Sequence, residues 1–326
     1  MLRAQYLLNR TSLPLHCEFA LLGSRVALET NSAALLSLAA RSGDECLPRG
    51  GPALTLRAFE DPHFPLGPED RLHFRGLHHL VFAWIGPGNF FTFDLLRGAV
   101  CGVVSPEVAA SARFWDRRLL PIAAGVLGTN LGVAPIHAAC LEKDGRGLLI
   151  GGLSGAGKST LSVALARRGF ALVSDDWTYL LRPAARGARL IARGLGAPVK
   201  LLPDAVAHFP ELGSRRPERA LNGELAFELD PAECWQFRTR REAEPKTVLF
   251  LERKREPGIQ FLRRDPGEAR SFFEGQGERL PEQLPDARTA RSALLQGLSG
   301  CSCWTLRTGD PPARTAELVE QFLEAH

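Results

Sequence analysis

The sequence predicts an α/β fold in the larger, C-terminal part of the chain, preceded by a β-rich α+β region. Three observations lead to this prediction. The 326 residues are 45% hydrophobic, which is ample for a buried core. The N-terminal part contains short aromatic and β-branched runs broken by turns. From residue 136 onward, short apolar strands alternate with helical patterns, as in domains built on a parallel sheet.

Composition excludes several classes of protein. Forty basic and 36 acidic residues nearly balance, so the chain lacks the basic stripe of a nucleic-acid binder. Seven cysteines without a CxxC pair argue against both a disulfide framework and a zinc site. The start of the chain lacks the apolar segment and cleavage site of a signal peptide. We expect a cytoplasmic protein, and we leave homo-oligomer formation open.

One uncharged stretch, residues 119–141, is long enough to span a bilayer. It contains two prolines, an asparagine and a histidine, and it is rich in glycine. This composition indicates a helix end, a loop and a buried strand rather than a membrane span. We therefore expect neither a membrane nor a nucleic-acid partner.

The length predicts two domains, at roughly 100–200 residues per domain. Residues 77–85 and 90–94 predict strands separated by a turn at Gly86-Pro87-Gly88. Residues 106–127 have a proline in the first turn and apolar residues at helical spacing, and so predict a helix. We assign residues 1–115 to an N-terminal β-rich region of unknown role and residues 116–326 to a second domain.

The second domain contains the more regular pattern. A tight turn is expected at residues 143–147, and Gly169 is expected to cap a helix in the left-handed conformation. Strands are predicted at residues 136–141, 148–150, 170–173, 247–251 and 303–306, and helices at 158–168 and 314–325. The strand, loop, helix and strand between 148 and 173 predict a βαβ unit with a parallel, right-handed connection.

The loop of this unit carries a recognisable motif. Residues 152–159 are GLSGAGKS, a full match to G-x-x-x-x-G-K-[ST]. Glycines let backbone N–H groups converge on phosphate oxygens, and the following helix directs its positive end at the same anion. The Lys158 ammonium would reach the β- and γ-phosphates, and the Ser159 hydroxyl would bind Mg²⁺. The alternative is a glycine-rich turn that happens to precede a helix. The expected nucleotide-binding residues are Gly152, Leu153, Ser154, Gly155, Ala156, Gly157, Lys158, Ser159 and Thr160.

Two adjacent carboxylates, Asp175 and Asp176, follow the next strand. Parallel βαβ geometry would place them beside the loop, at the carboxyl edge of the sheet. One carboxylate could hold Mg²⁺ while the other accepts a proton from an attacking hydroxyl. The alternative is an acidic turn after a strand. A transport or motor ATPase usually has its metal-side carboxylate farther along the chain, and no NKxD pattern of a GTPase is present, so kinase is the favoured class.

Here the sequence resembles the catalytic domain of the HPr kinase/phosphorylase family and related bacterial serine kinases. The matching residues are Ile136-His137, 152–160, Arg168-Gly169 and 172–176, and the resemblance covers about residues 136–200. It implies an α/β P-loop kinase core of the HPr kinase type. It also implies that Asp176 is the general base, that Lys158 and Ser159 act at the phosphates and Mg²⁺, and that His137 belongs to the active site. We assign Asp175 to the metal together with Ser159. From the residues alone, the favoured interpretation of His137 is a core histidine.

The chain departs from the family downstream. The stretch Arg193-Gly-Leu-Gly196 is similar to a family motif, but Ile191 stands where the family has a glutamate metal ligand. Either the match is accidental or Mg²⁺ loses one protein ligand. The arginine-rich segment linked to the reverse reaction is not found, so neither phosphorylase activity nor HPr as acceptor is implied. Lys200 and the arginines at 215, 216 and 219 could contact phosphate or could be ordinary surface residues.

These observations predict an ATP- and Mg²⁺-dependent kinase that phosphorylates a hydroxyl, with serine of a protein or peptide as the favoured acceptor. One alternative is a kinase of small hydroxylated metabolites, although such enzymes usually begin near their phosphate loop. Another is a non-catalytic nucleotide sensor that uses the N-terminal region to bind a partner.

Overall fold

The computed structural model describes residues 12–41, 47–63, 72–86, 88–182, 188–196, 198–220, 224–276 and 285–326. Contacts divide these residues into two compact units, one ending at Leu131 and the other beginning at Gly132. The sequence places the boundary earlier, after residue 115. Residues 116–131 belong to the first unit because this segment packs there. Trp115 is fully buried and its ring lies 5.9 Å from that of Phe19.

The first unit is built on a seven-stranded sheet of order β1-β2-β3-β7-β6-β5-β4. Its strands are β1 (Leu15–Leu21), β2 (Ser24–Thr30), β3 (Leu54–Glu60), β4 (Leu72–Leu77), β5 (Leu80–Ile85), β6 (Asn89–Asp94) and β7 (Ala99–Val104), and its first helix is α1 (Ala33–Arg41). The pairs β2–β3 and β3–β7 are parallel, and the other pairs are antiparallel.

The predicted strands at 77–85 and 90–94 form two strands of this sheet. β5 and β6 pair antiparallel with Ile85 opposite Asn89, as expected for the turn between them. Pro87 of that turn lies outside the described residues. Leu77 ends β4 instead of beginning β5, because the chain turns at His78, whose φ is 53°.

The single helix predicted at 106–127 is wrong, because this segment is broken. It forms α2 (Pro106–Ala109), α3 (Ala112–Phe114), a π-helical turn (Trp115–Leu119) and α4 (Leu120–Val126). Ser111 starts a new helix by accepting a hydrogen bond from the Phe114 N–H. The π-helical turn follows from Pro121, which has no N–H to donate within a regular α-helix.

The second unit has a central sheet of order β11-β9-β10-β18-β20-β19. Its strands are β8 (Val133–His137), β9 (Ala139–Lys143), β10 (Arg146–Gly151), β11 (Ala171–Ser174), β12 (Trp177–Leu181), β13 (Ile191–Arg193), β14 (Val199–Leu201), β15 (Glu218–Arg219), β16 (Leu225–Leu229), β17 (Glu242–Ala243), β18 (Pro245–Arg253), β19 (Ile259–Arg264) and β20 (Ser302–Thr308). Its helices are α5 (Lys158–Ala166), α6 (Pro231–Trp235), α7 (Pro266–Gln276), α8 (Pro285–Gln296) and α9 (Pro312–Ala325). The predicted strands at 247–251 and 303–306 and the closing helix are confirmed.

Both faces of the central sheet are covered, which explains the uninterrupted apolar run of β10. Leu148 and Ile150 pack in a cluster with side chains of α5 and α9. Leu149 points to the other face and packs in a cluster with side chains of α7 and α8. The central strands are therefore held from both sides.

The predicted βαβ unit needs one correction. β10 and β11 run in the same direction, but they are not neighbours, because β9 lies between them and is antiparallel to both. The tight turn at Asp144-Gly145, where both residues have positive φ, folds β9 back onto β10 and fills the neighbouring position. The carboxyl ends of β10 and β11 still lie at the same edge of the sheet.

The strand predicted at 136–141 is also divided. It breaks at Ala138 into β8 and β9, which belong to different sheets. β8 joins a second sheet of order β17-β13-β12-β8, and a third sheet has the order β14-β16-β15. Within the described ranges, no helix combines the length and apolar composition needed to cross a bilayer.

Candidate functional site

The glycine-rich loop, residues 152–157, joins the end of β10 to the start of α5. Gly155 and Gly157 have φ values of 76° and 95°, which other residues rarely adopt. Gly157 caps the N-terminus of α5 without a side chain, so the first N–H groups of the helix face the loop. The local sequence thus produces a backbone concavity at a positive helix end, which is suited to an anion.

Lys158 is the first residue of α5, and its side chain is buried within this loop. Its Nζ donates hydrogen bonds to the carbonyl oxygens of Gly152 and Leu153, at 3.1 and 3.3 Å. Burial lowers the pKa of Lys158, and the carboxylates of Asp176 and Asp175 partly oppose that effect. The charges of both aspartates thus act on the Lys158 ammonium.

Asp175 is buried at the end of β11. Its Oδ2 accepts a hydrogen bond of 3.0 Å from the Lys200 backbone N–H, whereas its Oδ1 has no hydrogen-bond partner among the described residues. Burial raises the pKa of Asp175 to about 7, and the neighbouring Asp176 charge adds to this effect. The Lys200 N–H, the Ser159 hydroxyl and Lys158 act in the opposite direction.

Asp176 lies in a different environment, and half of its side chain is exposed. Its Oδ1 lies 2.7 Å from Nε2 of His137, and the side-chain exposures are 50% for Asp176 and 32% for His137. Partial burial acts to raise the pKa of Asp176, but the hydrogen bond and charge interaction with His137, with Lys158 and Lys200 nearby, lower it overall. Adjacent carboxyl groups thus have pKa values shifted in opposite directions.

Strand pairing brings His137 to this position. β8 and β12 are antiparallel, with His137 directly opposite Trp177. The imidazole stacks on the Trp177 ring at 5.7 Å between centroids. Trp177, although large and apolar, is 39% exposed. The carboxylate, imidazole and indole therefore form a continuous surface that is open to solvent.

The structure brings the predicted site residues Lys158, Ser159, Asp175, Asp176 and His137 together. Leu153, Ser154 and Gly155 form the exposed tip of the loop, and Gly152, Ala156 and Gly157 form its sides. Thr160 lines a cavity.

That cavity lies between the glycine-rich loop and the ends of two parallel strands, β18 and β20. Its lining residues are Ala156, Gly157, Thr160, Leu161, Leu251, Arg253, Thr308, Asp310, Pro312 and Thr315. Arg253 ends β18 and is not among the site candidates that the sequence offers. The signal that it lies beside the loop was the parallel strand before it, which ends at the same sheet edge as β10.

Of the remaining sequence candidates, Arg193 and Lys200 form ion pairs. Arg193 is ion-paired with Glu242 across neighbouring strands. Lys200 Nζ lies 2.7 Å from a carboxylate oxygen of Glu224, and its backbone N–H donates a hydrogen bond to Asp175. Arg215, Arg216 and Arg219 are exposed. Ile191 lies in β13 and offers no metal ligand.

The donor set limits what metal the site could hold. Among the residues described, no three His, Cys, Asp or Glu side chains lie together in a ligand cluster. Two oxygen donors that interact with each other at the loop are the Ser159 hydroxyl and the carboxylate of Asp175. A hard cation that takes most of its ligands from phosphate and water, such as Mg²⁺, fits this set.

The chain has a mixed α/β fold with several sheets. No protein-family model matches it, and no curated protein matches it. Among solved structures, it is similar to the HPr(Ser) kinase/phosphatase from Coxiella burnetii, with 18% sequence identity over 59% of this chain and 95% of that chain. The TM-score is 0.31, so this similarity carries no functional argument.

Proposed function

We propose that this protein is an ATP-dependent kinase that transfers the γ-phosphoryl group to a hydroxyl. The favoured acceptor is a serine of a protein or peptide. One observation carries the proposal: a half-exposed carboxylate, Asp176, lies at the same sheet edge as the glycine-rich loop and interacts with its lysine. A phosphate-binding loop with an accessible base beside it is the minimum set for phosphoryl transfer to an alcohol. The preference for serine comes from the sequence resemblance.

The loop would bind the triphosphate. Its backbone N–H groups, the N-terminus of α5 and Lys158 all direct positive charge toward one point. Lys158 now donates to two loop carbonyls, and these bonds would be exchanged for bonds to the β- and γ-phosphates. The cavity beside Thr160 and Leu251 offers an apolar wall for the nucleoside part of the donor.

Ser159 and Asp175 would hold Mg²⁺ on the other side of the loop. The fit rests on Oδ1 of Asp175, a buried carboxylate oxygen that has no partner in the described part of the chain. A bound Mg²⁺ would neutralise charge that develops on the phosphates. Because burial raises the pKa of Asp175 to about 7, the carboxyl would release a proton when it becomes a ligand.

Asp176 would act as the base. The acceptor oxygen would bond to the γ-phosphorus as the bond from phosphorus to the β–γ bridging oxygen breaks, and that electron pair would leave with ADP. The hydroxyl proton would pass to the Asp176 carboxylate. The lowered pKa keeps Asp176 ionised at neutral pH, and His137 fixes the orientation of the carboxylate. Catalysis would depend on positioning and charge stabilisation.

Labelled ATP tests this proposal. The protein is incubated with γ-labelled ATP, Mg²⁺ and a cell extract fractionated by size, with Asp176→Asn in parallel. Label on a macromolecule with the wild type alone supports a protein or peptide kinase. Label on a small compound would show a metabolite kinase instead. Tight ATP binding without transfer to any fraction would contradict kinase activity and indicate a nucleotide sensor.

A further inference from the structure

A buried hydroxyl bridge spans the turn that carries both aspartates. Oγ of Ser174 lies 2.5 Å from Oγ1 of Thr178, and Oγ1 of Thr178 lies 2.7 Å from the Ala138 carbonyl oxygen. Thr178 is fully buried and Ser174 is 5% exposed. None of these groups takes part in the proposed reaction, so the bridge needs a separate explanation.

The direction of both hydrogen bonds can be assigned from the chemistry of the groups. The Ala138 carbonyl can only accept, so the single hydroxyl proton of Thr178 is donated to it. Ser174 must therefore donate its own proton to Thr178. The bridge thus has one fixed polarity, from the end of β11 through β12 to the junction of β8 and β9.

The bridge joins the two chain segments that meet at the candidate base. Ser174 and Thr178 flank the turn that contains Asp175 and Asp176, and Ala138 directly follows His137. The same two segments are joined at their exposed ends by the contact between His137 and Asp176. The buried bridge therefore sets the position of the Asp176 carboxylate relative to the His137 imidazole.

We propose that Thr178 is a positioning residue for phosphoryl transfer: its hydroxyl holds the Asp176 turn in register with the strand that carries His137. This inference rests on the proposed function, since it assigns Asp176 the task of the base. Thr178 itself lies inside the protein and contacts no substrate. Its loss should leave nucleotide binding intact and misplace the base, and a misplacement of about 1 Å can lower a rate about 100-fold.

The test compares Thr178→Val, which removes the hydroxyl at nearly constant shape, with Thr178→Ser, which keeps it. A matched control is Thr247→Val, because Thr247 is also buried and also forms a hydroxyl pair, with Ser302 at 3.1 Å, at the start of β18. The readouts are thermal unfolding, the apparent KM for ATP, and the initial rate of label transfer from γ-labelled ATP to the extract fraction that the wild type labels.

We expect Thr178→Val to lower the transfer rate at least about 10-fold with the KM for ATP within about twofold of wild type. Thr178→Ser should recover most of the rate, and Thr247→Val should lose stability without losing rate. Equal rates for Thr178→Val and wild type would overturn the proposal, as would equal losses of rate in both valine variants.

If Thr178→Val does not fold, Ser174→Ala decides in the same way: a lower rate at unchanged KM supports the bridge, and an unchanged rate refutes it. A wild type that transfers no label refutes the kinase function itself and the positioning role with it.

Discussion

The Asp176 carboxylate and the His137 imidazole lie 2.7 Å apart, one on the turn before β12 and the other at the end of β8. The contact joins residues that are distant in sequence, and the antiparallel pairing of the two strands produces it. It is also the main influence that lowers the pKa of Asp176 against the effect of burial. The protonation of the proposed base therefore depends on this histidine.

Replacing His137 with alanine should make transfer more sensitive to acid. Without the hydrogen bond, burial dominates and the pKa of Asp176 rises, so the carboxylate is protonated at a higher pH. We expect the variant to lose more activity relative to wild type between about pH 5 and 6 than near pH 8. The measurement is kcat/KM for transfer across this range. The exposed His208 provides a control, since His208→Ala should not change the profile. Parallel profiles for His137→Ala and wild type would contradict this role.

Asp175 should make the metal-free protein less stable as the pH rises. Its folded-state pKa of about 7 lies above that of a solvent-exposed aspartate, so its contribution to stability is complete below about pH 4 and is lost as the pH rises through 7. Asp175→Asn, which retains an acceptor for the Lys200 N–H, should avoid this loss. Without Mg²⁺, we expect the free energy of unfolding of the variant to gain up to about 2.6 kcal/mol on that of wild type between pH 5 and 8. Denaturant unfolding at both pH values measures the gain, and a constant difference would refute the assignment.

Lys158→Ala should weaken ATP binding about 10- to 100-fold, because hydrogen bonds to charged groups are worth about 1.5–3 kcal/mol. Transfer should fall with it. Titration calorimetry with ATP and Mg²⁺ measures the affinity directly. Lys246→Ala is the matched control, since Lys246 is ion-paired with Glu244 at the opposite end of β18. This variant should bind ATP as wild type does. Wild-type affinity in Lys158→Ala would mean that the loop does not bind the phosphates.

Gly194→Ala should disturb the strand end that carries both aspartates. A Cβ at this position would lie 1.9 Å from the Val173 carbonyl oxygen, so the backbone before Ser174 would have to move. We expect a loss of stability of about 1–3 kcal/mol together with a loss of transfer. Gly125→Ala is the control, because a Cβ there meets nothing within 4 Å and should not destabilise the protein. Thermal unfolding and transfer rates test both variants, and a stable, fully active Gly194→Ala would contradict the predicted crowding.

The sequence predicts the parts of the site that depend on short-range pattern. The glycine-rich loop, the helix that starts at Lys158, the cap at Gly169 and the following strand lie next to one another in the chain, and each has a local signal. Strand partners have no such signal. Nothing local indicates that β9 separates β10 from β11, or that the chain breaks at Ala138 to send His137 into another sheet.

The helix predicted at residues 106–127 also shows the limit of prediction from local sequence pattern. Apolar periodicity continues through the segment, but Ser111 and Pro121 impose backbone constraints that override it. The hydroxyl bridge of Ser174 and Thr178 was likewise beyond prediction, because Ser and Thr in strands usually have no specific partner that a sequence reveals. Such contacts depend on tertiary packing.

The central claim is that Asp176 is the base for transfer from a nucleotide bound at residues 152–160. The most direct measurement compares Asp176→Asn with wild type for label transfer from γ-labelled ATP and for ATP affinity. We expect transfer to fall by about 100-fold or more, with ATP affinity within about threefold of wild type. Asparagine cannot accept the proton, but it preserves the shape of the site. Undiminished transfer, or loss of ATP binding in place of transfer, would contradict the assignment.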